Sequence, residues 1–418
     1  MTHTHHPETG DAALPHFEGK VEKLIFGGSG LVRHEGKTIL LPEVAPGELV
    51  RFSVRKDHKQ WAEGALHAVL EPSAERRVPF CPVFSRCGGC QYQHLDYPFQ
   101  LQQKREILLE TLARVGKLEG LPEVEILSAE PRAYRNRVQI HLDGARVGYR
   151  FQASRRLVPI EECPIASPAL NAAIKALREM AREPRFPRFV ESIELFSNEE
   201  ETLLSVVATK GGDRRVARWF IEWCQERIPG AEQSALVYPA AGCKFQVGHR
   251  SFFQVNRFLI DPLVKRVLRT ATQSPVLDLY SGVGLFAIPH ARNGAEVVAV
   301  ESSGSAVRDL EVNAANHRTR VEVVKASVDT FLAGRSRIQP HVIADPPRAG
   351  LGKSVVRDLV RLRPERLTLV SCDPATLARD LSALREGGYK IEALTLVDLF
   401  PQTAHLETVC DLVSTSQS

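Results

Sequence analysis

The sequence predicts an α/β protein whose C-terminal part, residues 251–418, is a Rossmann-like domain with a seven-stranded sheet. An N-terminal β-barrel and a central α+β domain are predicted before it. Three observations support this prediction. From Pro275 onward, seven apolar strand segments alternate with helical segments, which is typical of a parallel sheet covered by helices. Short strand-like runs separated by turn residues fill the first part of the chain, and strands mix with helices between the two regions.

The composition is that of a globular protein. The chain has 418 residues, of which 43% are hydrophobic and 25% are charged, and its net charge of +4 is too small to require a polyanionic partner. No apolar run approaches the ~20 residues that a membrane span needs, so no membrane association is expected. The first residues carry neither the basic nor the apolar block of a signal peptide. We therefore expect a cytoplasmic protein with a disordered leader over residues 1–16.

Residues 17–74 are predicted to form a compact β-barrel. The runs VEKLIF, TILL, ELVRFSV and GALHAVL are separated by the turn signals GGSG, HEGK and PEVAPGE. About five strands in so short a stretch are typical of small barrels that bind oligonucleotides.

The segment 75–98 is rich in cysteine and proline. Cys81, Cys87 and Cys90 lie within ten residues, and in a cytosolic protein such a group indicates a metal or a cluster rather than disulfides. Cys163 follows the same Cys-Pro pattern as Cys81 and is the candidate fourth ligand. The spacing does not separate zinc from an iron–sulfur cluster. Three other cysteines lie in apolar settings and are predicted core residues: Cys224, Cys243 and Cys410.

Residues 99–125 show helical periodicity with a polar face, and residues 126–250 mix short strands with helices. The second of these regions contains an arginine cluster, opposed by a single acid, Asp143. Such a cluster suits the phosphate backbone of a nucleic acid, although a solvated strand face is the alternative. The cluster consists of Arg132, Arg135, Arg137, Arg146, Arg150, Arg155 and Arg156.

A glycine turn follows the first strand of the predicted sheet. Gly282 and Gly284 lie between that strand and a helix, so the backbone can approach a ligand closely. Glu301 ends the next strand, where an acid can bind the ribose hydroxyls of an adenosine. The third glycine of the dinucleotide fingerprint is missing. We expect a nucleoside site here, with a purely structural turn as the alternative.

Asp345 follows another strand and precedes two prolines. The prolines predict a rigid, extended turn that holds the carboxylate at the sheet edge. Amino-group methyltransferases have a similar turn, but an aromatic residue follows the prolines and stacks on the target base. Arg348 occupies that position here, which argues against an exocyclic nitrogen as the target. An ordinary turn at a strand end is the alternative.

Cys372 ends a short apolar strand. Asp373 is placed to cap the following helix, and Pro374 fits its first position. Backbone N–H groups and the helix dipole at this point favour a thiolate, which predicts a nucleophile, with a packed thiol as the alternative. Glu407 and His405 precede the last strand and are plausible general bases. A solvent-facing position is the alternative for Glu407.

Taken together, these segments resemble the RumA/TrmA family of S-adenosylmethionine-dependent RNA uridine C5-methyltransferases. Residues 17–74 resemble a TRAM domain, and SFFQVN, SCDPATLARDL and HLET resemble family motifs in the same order. The resemblance implies a class I methyltransferase fold and S-adenosylmethionine contacts from Gln254, Tyr280, Glu301, Ser327 and Asp345. It also implies a [4Fe-4S] cluster with four ligands: Cys81, Cys87, Cys90 and Cys163. Leu285 departs from the Asn found in some members.

The resemblance further implies a covalent mechanism. Cys372 would add to carbon 6 of uracil and make carbon 5 nucleophilic, and Glu407 would remove the carbon 5 proton after methyl transfer. The target uridine would have to be flipped out of its stack. The cluster and the TRAM-like barrel favour 23S rRNA as the substrate, with the uridine of the tRNA T-loop as the runner-up. A non-catalytic RNA-binding factor is the alternative of a different class, and a monomer is expected.

Overall fold

The computed structural model describes residues 15–152, 154–212, 218–232, 234–269 and 275–415. The predicted leader therefore lies outside the described residues up to Leu14. The chain divides into two compact units. Unit 1 contains the described residues up to Ile107 together with Phe151–Arg155 and Phe400–His405, and unit 2 contains the other described residues.

The N-terminal part of unit 1 is a closed barrel with the strand order β1-β2-β3-β5-β4. Alternate apolar side chains point inward, and the core includes Val32, Leu41 and Phe52, all fully buried. Closure leaves no unpaired strand edge in this barrel, and the predicted barrel is confirmed. Its strands are β1 (Phe17–Leu24), β2 (Ser29–His34), β3 (Lys37–Pro42), β4 (Leu49–Asp57) and β5 (Trp61–Glu71).

A buried ion pair joins the barrel to the segment that follows it. Glu48 is fully buried, and its carboxylate accepts hydrogen bonds from Arg76 Nε at 2.5 Å, Arg76 NH2 at 2.7 Å and the Ala45 N–H at 2.8 Å. Burial alone would raise the pKa of Glu48, but these donors outweigh it and hold the pKa below its usual value. The carboxylate is therefore charged and paired.

Helix α1 (Tyr97–Gly116) follows, and the division between the two units falls within it. In unit 1, the buried Gln100 donates from Nε2 to the carbonyls of Tyr92 and Leu95 at 3.0 Å each. Lys104 donates from Nζ to the Phe400 carbonyl at 3.0 Å. The helix ends at Gly116, before the predicted limit at residue 125, and the end of the predicted segment belongs to a short strand, β6 (Val124–Leu127).

The central part of unit 2 has the predicted α+β character. A six-stranded sheet has the order β12-β11-β10-β7-β8-β9, and helix α2 packs against β10. A separate hairpin, β13–β14, follows. The elements in chain order are β7 (Arg137–Asp143), β8 (Arg146–Arg150), β9 (Leu157–Pro159), α2 (Pro168–Met180), β10 (Val190–Ser197), β11 (Thr202–Thr209), α3 (Arg218–Arg227), β12 (Ala231–Glu232), β13 (Ala235–Ala240) and β14 (Cys243–Gly248).

The C-terminal sheet has the order β17-β16-β15-β18-β19-β21-β20-β6, with β21 antiparallel to both of its neighbours. The seven predicted strands are present, which confirms the predicted fold class, and β6 adds an unpredicted eighth, parallel to β20. Within the described ranges, every helix is too short or too polar to span a bilayer. The elements are α4 (Ile260–Leu268), β15 (Val276–Leu279), α5 (Ala287–Arg292), β16 (Val297–Glu301), α6 (Gly304–Asn316), β17 (Val321–Lys325), α7 (Val328–Ala333), β18 (His341–Ala344), α8 (Gly352–Leu362), β19 (Arg366–Ser371), α9 (Pro374–Glu386), β20 (Tyr389–Val397) and β21 (Thr408–Ser414).

A buried polar network crosses this sheet. Arg266 of α4 lies with NH1 2.8 Å from Asp411 Oδ2 and donates from Nε to Thr395 Oγ1 at 2.6 Å. Asp411 Oδ1 accepts from Thr368 Oγ1 at 2.9 Å, and that hydroxyl lies 3.0 Å from His341 Nε2. The Arg266 and Asp411 side chains are each 2% exposed. The network therefore ties α4 to four strands in the sheet interior, β18, β19, β20 and β21.

Candidate functional site

Three predicted site residues meet at one edge of the C-terminal sheet. Leu279 of β15 pairs with Val300 of β16 and with Ala344 of β18. Because these strands are parallel, the residues that follow, Tyr280, Glu301 and Asp345, lie side by side at their carboxyl ends. The sequence predicted this edge as a ligand site, and the register brings its residues together.

The candidate nucleophile and the candidate base come from two antiparallel strands. Ser371 is the last residue of β19 and pairs with Thr408, the first residue of β21. The next positions are Cys372 and Glu407, which therefore face each other directly beyond the ladder. Glu407 is only 4% exposed, and its carbonyl accepts a hydrogen bond from the Val397 N–H at 2.8 Å. Glu407 is therefore buried, and the alternative that it faces solvent is wrong.

The helix after Cys372 begins as the sequence predicts. Asp373 is the N-cap of α9, and its Oδ1 accepts from the N–H groups of Ala375 at 3.0 Å and Thr376 at 2.8 Å. Pro374 occupies the first helical position. These contacts fix the backbone on both sides of the thiol.

The electrostatics of Cys372 differ from the sequence expectation. Burial raises the pKa of Cys372 to about 11, and the nearby carboxyls of Glu407 and Asp345 act in the same direction. Arg348 and a backbone hydrogen bond lower the pKa but do not compensate. The expectation that this position by itself favours a thiolate is therefore wrong. The helix cap is present, but burial and two carboxyls from other strands outweigh it.

The two carboxyls of the site are also shifted. Burial raises the pKa of Asp345 to about 7. Burial and the neighbouring Asp345 raise the pKa of Glu407 well above its usual value, against the charge of Arg348. Gln254, which is 4% exposed, places Nε2 3.5 Å from Asp345 Oδ2. Such a group of acids favours the binding of a cation.

The glycine turn exposes backbone next to Glu301. Glu301 Oε2 accepts from the Gly282 N–H at 3.0 Å, and Oε1 accepts from the Ser303 N–H at 2.6 Å. A Cβ added at Gly282 would meet no atom within 4 Å, so this surface is open. Tyr280, directly before the turn, has a φ of 61°, a strained value for a residue with a side chain. Strain and openness together are typical of a ligand site.

Ser327, another predicted contact, caps helix α7. Its Oγ accepts from the Thr330 N–H at 3.4 Å and lies 2.8 Å from Thr330 Oγ1. The side chain is exposed at the start of the helix that follows β17. Its part in ligand binding stays a prediction.

Two buried asparagines that the sequence analysis did not single out hold the site in place. Asn136 donates from Nδ2 to the Gln254 carbonyl at 3.1 Å and to the Tyr238 hydroxyl at 3.0 Å. Asn256 donates from Nδ2 to the Leu399 carbonyl at 3.2 Å. Both are fully buried, so they position backbone and do not contact solvent. Asn256 follows an apolar run in FFQVN, which is a signal of burial, whereas Asn136 lies between two arginines in YRNR and has no such signal.

The candidate metal ligands lie in both units. In unit 1, the Cys81 N–H donates to Gln93 Oε1 at 3.1 Å, and the Cys87 N–H donates to the Val83 carbonyl at 2.9 Å. In unit 2, the Cys163 N–H donates to Asn171 Oδ1 at 2.8 Å. Among the residues that the structure describes, no group of three or more His, Cys, Asp or Glu side chains is arranged to hold a metal. The predicted core cysteines are confirmed as buried: Cys224, Cys243 and Cys410.

The arginine cluster contains both structural and exposed members. Arg137 donates from NH1 to the Ser251 carbonyl at 2.8 Å and from NH2 to Glu194 Oε1 at 2.6 Å. Arg135 donates from Nε to the Arg137 carbonyl at 2.9 Å. These two side chains therefore stabilise the central domain. The exposed members are Arg132, Arg146, Arg150, Arg155 and Arg156.

Comparisons with known proteins agree with this geometry. Residues 239–414 match the family described as tRNA (Uracil-5-)-methyltransferase. An uncharacterized RNA methyltransferase of Aquifex aeolicus is 34% identical over 93% of this chain and 96% of its own. The 23S rRNA (uracil(1939)-C(5))-methyltransferase RlmD of Aeromonas hydrophila is 34% identical over 94% of this chain and 95% of its own.

A solved structure is similar along the same length. The crystal structure of Pyrococcus abyssi tRNA (uracil-54, C5)-methyltransferase in complex with S-adenosyl-L-homocysteine superimposes with a TM-score of 0.77. It covers 95% of this chain and 100% of that chain, with 26% sequence identity. The similarity therefore includes the barrel and the central domain as well as the C-terminal sheet.

Proposed function

Because this chain belongs to the RumA/TrmA family of RNA uracil-C5-methyltransferases, we propose that it methylates carbon 5 of a specific uridine in 23S rRNA. The methyl donor is S-adenosylmethionine. The observation that carries the proposal is the opposition of Cys372 and Glu407 beyond the last pair of β19 and β21. This opposition supplies a nucleophile and a base to one pyrimidine ring.

The residues at the sheet edge fit S-adenosylmethionine. The open backbone at Gly282 and the oriented carboxylate of Glu301 suit an adenosine ribose, and Tyr280 lies beside them. Asp345 and Gln254 would face the charged end of the molecule, and Ser327 would contribute at the neighbouring strand end. When bound, S-adenosylmethionine supplies an electrophilic methyl group on a positively charged sulfur. A buried acidic group is suited to that charge.

The chain's own residues perform the remaining chemistry. The Cys372 thiol loses its proton to solvent, and the thiolate forms a bond to carbon 6 of uracil while the electrons of the 5,6 double bond move to give an enolate. Carbon 5 then takes the methyl group while the bond between the methyl carbon and the donor sulfur breaks, and a neutral thioether leaves. The Glu407 carboxylate removes the carbon 5 proton, the double bond forms again, and the thiolate leaves. Burial raises the pKa of Glu407, which suits a group that must hold this proton.

The test is methylation of a 23S rRNA transcript with labelled S-adenosylmethionine, followed by mapping of 5-methyluridine. We expect the wild type to label the transcript and Cys372→Ala to give no product. Cys243→Ala, which changes a buried cysteine of the β13–β14 hairpin, is the matched control and should retain activity. Full methylation by Cys372→Ala would eliminate the covalent mechanism.

The second candidate substrate is tRNA. Similarity to the Pyrococcus abyssi tRNA methyltransferase, which this chain matches over its whole length, favours tRNA. Similarity to the 34% identical relative named for 23S rRNA favours ribosomal RNA. The same assay with equal concentrations of rRNA and tRNA transcripts separates the two. Labelling of the T-loop alone would replace the first candidate by the second.

We also propose that Cys81, Cys87, Cys90 and Cys163 bind a [4Fe-4S] cluster. Support comes from the four thiols themselves and from the backbone hydrogen bonds that hold Cys81, Cys87 and Cys163. Protein purified without oxygen should contain iron and sulfide, and Cys87→Ser should lose both while Cys372→Ala keeps them. A colourless protein containing zinc would overturn this assignment.

The domain roles follow from the same family membership. We propose a TRAM-type RNA-binding barrel over 17–74 and a cluster segment over 75–98, followed by helix α1 (Tyr97–Gly116) in place of the predicted helical segment over 99–125. Residues 126–250 would form a central RNA-binding domain, and residues 251–418 the methyltransferase domain. The protein would act as a monomer in the cytoplasm, where its RNA substrates are found. Light scattering of the purified protein tests the monomer.

A further inference from the structure

One face of helix α9 holds the loop that follows Asp345. Thr376, Arg379 and Asp380 lie three and four residues apart and therefore share this face. Thr376 Oγ1 shares its proton between the Asp373 carbonyl at 3.2 Å and the Arg348 carbonyl at 3.4 Å, and Arg379 NH2 donates to the Ala349 carbonyl at 2.9 Å. Asp380 Oδ2 accepts from the Leu351 N–H at 2.7 Å. We call these three side chains the α9 clamp.

The loop fits closely against the α9 clamp at Gly350. Gly350 has a φ of 76°, and its N–H donates to the Pro347 carbonyl at 2.8 Å. A Cβ at this position would collide with Asp380 Oδ2 and would lie 3.1 Å from both Arg379 NH2 and Thr376 Cβ. The contact therefore requires glycine for its space as well as for its backbone conformation.

The α9 clamp fixes the position of Arg348 relative to the nucleophile. The helix starts directly after Cys372 and Asp373, and the clamped loop starts at Asp345. Thr376 Oγ1 lies 3.4 Å from the Arg348 carbonyl and 3.2 Å from the Asp373 carbonyl, so the Arg348 backbone is held beside the residue that follows Cys372. In agreement with this position, the charge of Arg348 lowers the pKa of both Cys372 and Glu407. The Arg348 side chain is exposed, so the α9 clamp holds Arg348 through its backbone.

We propose that Thr376, Arg379 and Asp380 are positioning residues that hold Arg348 beside Cys372 and Glu407, so that Arg348 sets the reactivity of the Cys372 sulfur. This inference rests on the role proposed above for Cys372. A guanidinium is permanently charged, and its effect on a neighbouring thiol depends on distance. A substitution that loosens the α9 clamp should therefore reduce the reactivity of the Cys372 thiol, even though the substituted residue does not contact that thiol.

The first test is alkylation of Cys372 by iodoacetamide in the RNA-free protein, followed by peptide mass spectrometry. The thiolate sulfur displaces iodide and forms a carbon–sulfur bond, so the rate at a pH below the pKa reports the thiolate fraction. We expect Arg348→Gln to slow alkylation about three- to tenfold and to move its pH profile upward. Arg348→Lys keeps the charge and should restore most of the rate. Lys353→Gln removes a nearby exposed charge and should leave the rate unchanged.

The second test separates the α9 clamp from backbone strain. Gly350→Ala and Gly352→Ala both place an alanine at a positive φ, 76° and 78°, but only the first meets the α9 clamp, since a Cβ at Gly352 finds no atom within 4 Å. We expect Gly350→Ala to shift the alkylation profile in the direction of Arg348→Gln, and Gly352→Ala to retain the wild-type profile.

Equal alkylation rates for Arg348→Gln and Lys353→Gln would overturn the proposal. The outcome is independent of the proposed reaction, because no RNA or methyl donor is present. Loss of methylation in Cys372→Ala together with unchanged alkylation in Arg348→Gln would reject this inference alone. A chain that methylates no RNA, yet whose Cys372 responds to Arg348, would reject the proposed function alone.

Discussion

Cys372 and Glu407 occupy opposite positions directly beyond the pair formed by Ser371 and Thr408. We predict that Glu407→Gln lets a covalent protein–RNA adduct accumulate, because the amide cannot remove the carbon 5 proton. Denaturing gels with labelled RNA and S-adenosylmethionine would show the adduct as a slowly migrating band. Glu392→Gln, on exposed β20 surface and paired with Arg366, is the control and should show none. Rapid release of methylated RNA by Glu407→Gln would remove Glu407 from its role.

The pH dependence of Cys372 should change when the methyl donor binds. Burial and two carboxyls raise the pKa of this thiol to about 11, so alkylation of the ligand-free protein should increase with pH through the alkaline range. The positive sulfur of S-adenosylmethionine should move the profile to lower pH, because a nearby cation favours the thiolate. S-adenosylhomocysteine, whose sulfur is neutral, is the matched comparison. Identical profiles with both ligands would contradict this interpretation.

The buried network around Arg266 should be a large contribution to stability. Arg266→Met leaves the carboxylate of Asp411 buried without its partner, which costs about 3–5 kcal/mol. Arg269→Met removes a neighbouring arginine of the same helix end whose side chain is 50% exposed, and should cost only about 0–1 kcal/mol. Urea unfolding measures both values. Similar midpoints for the two variants would show that the ion pair contributes little.

The Glu48–Arg76 pair should make the barrel sensitive to acid. The pKa of Glu48 is lowered in the folded protein, so its stabilising effect is present above the usual value of 4.5 and is lost as the pH falls through the folded value. At neutral pH, Glu48→Gln should cost about 2 kcal/mol, and this difference from wild type should shrink in acid. Thermal melting at several pH values measures it. Glu18→Gln, from the exposed pair with Arg51, should differ little from wild type at any pH.

Much of the fold could be predicted from the sequence because its signals are local. Buried parallel strands appear as continuous apolar runs, and Asp373 and Pro374 mark the start of α9 within two residues. Strand β6 was missed because a four-residue run, VEIL, has no local feature that distinguishes it from the end of a helical segment. Its identity as a strand comes from pairing with β20, more than two hundred residues later in the sequence.

The site was predictable where one side chain follows one strand. The pKa values of the site residues could not be predicted, since they depend on neighbours from segments that are distant in the sequence. Burial raises the pKa of Cys372, and so do Glu407 and Asp345, which lie just outside strands β21 and β18. Asn136 was likewise invisible as a support for Gln254, because the two residues meet only after the central domain and the C-terminal domain fold.

Strands β19 and β21 are joined by six consecutive pairs without a bulge, from Arg366 with Val413 to Ser371 with Thr408. Side chains alternate between the two faces of a strand, so a single insertion or deletion within β21 would turn Glu407 to the opposite face. Length changes during evolution should therefore be absent from this ladder. Related sequences that vary in loop length elsewhere should keep a constant spacing between the glutamate and the end of β21.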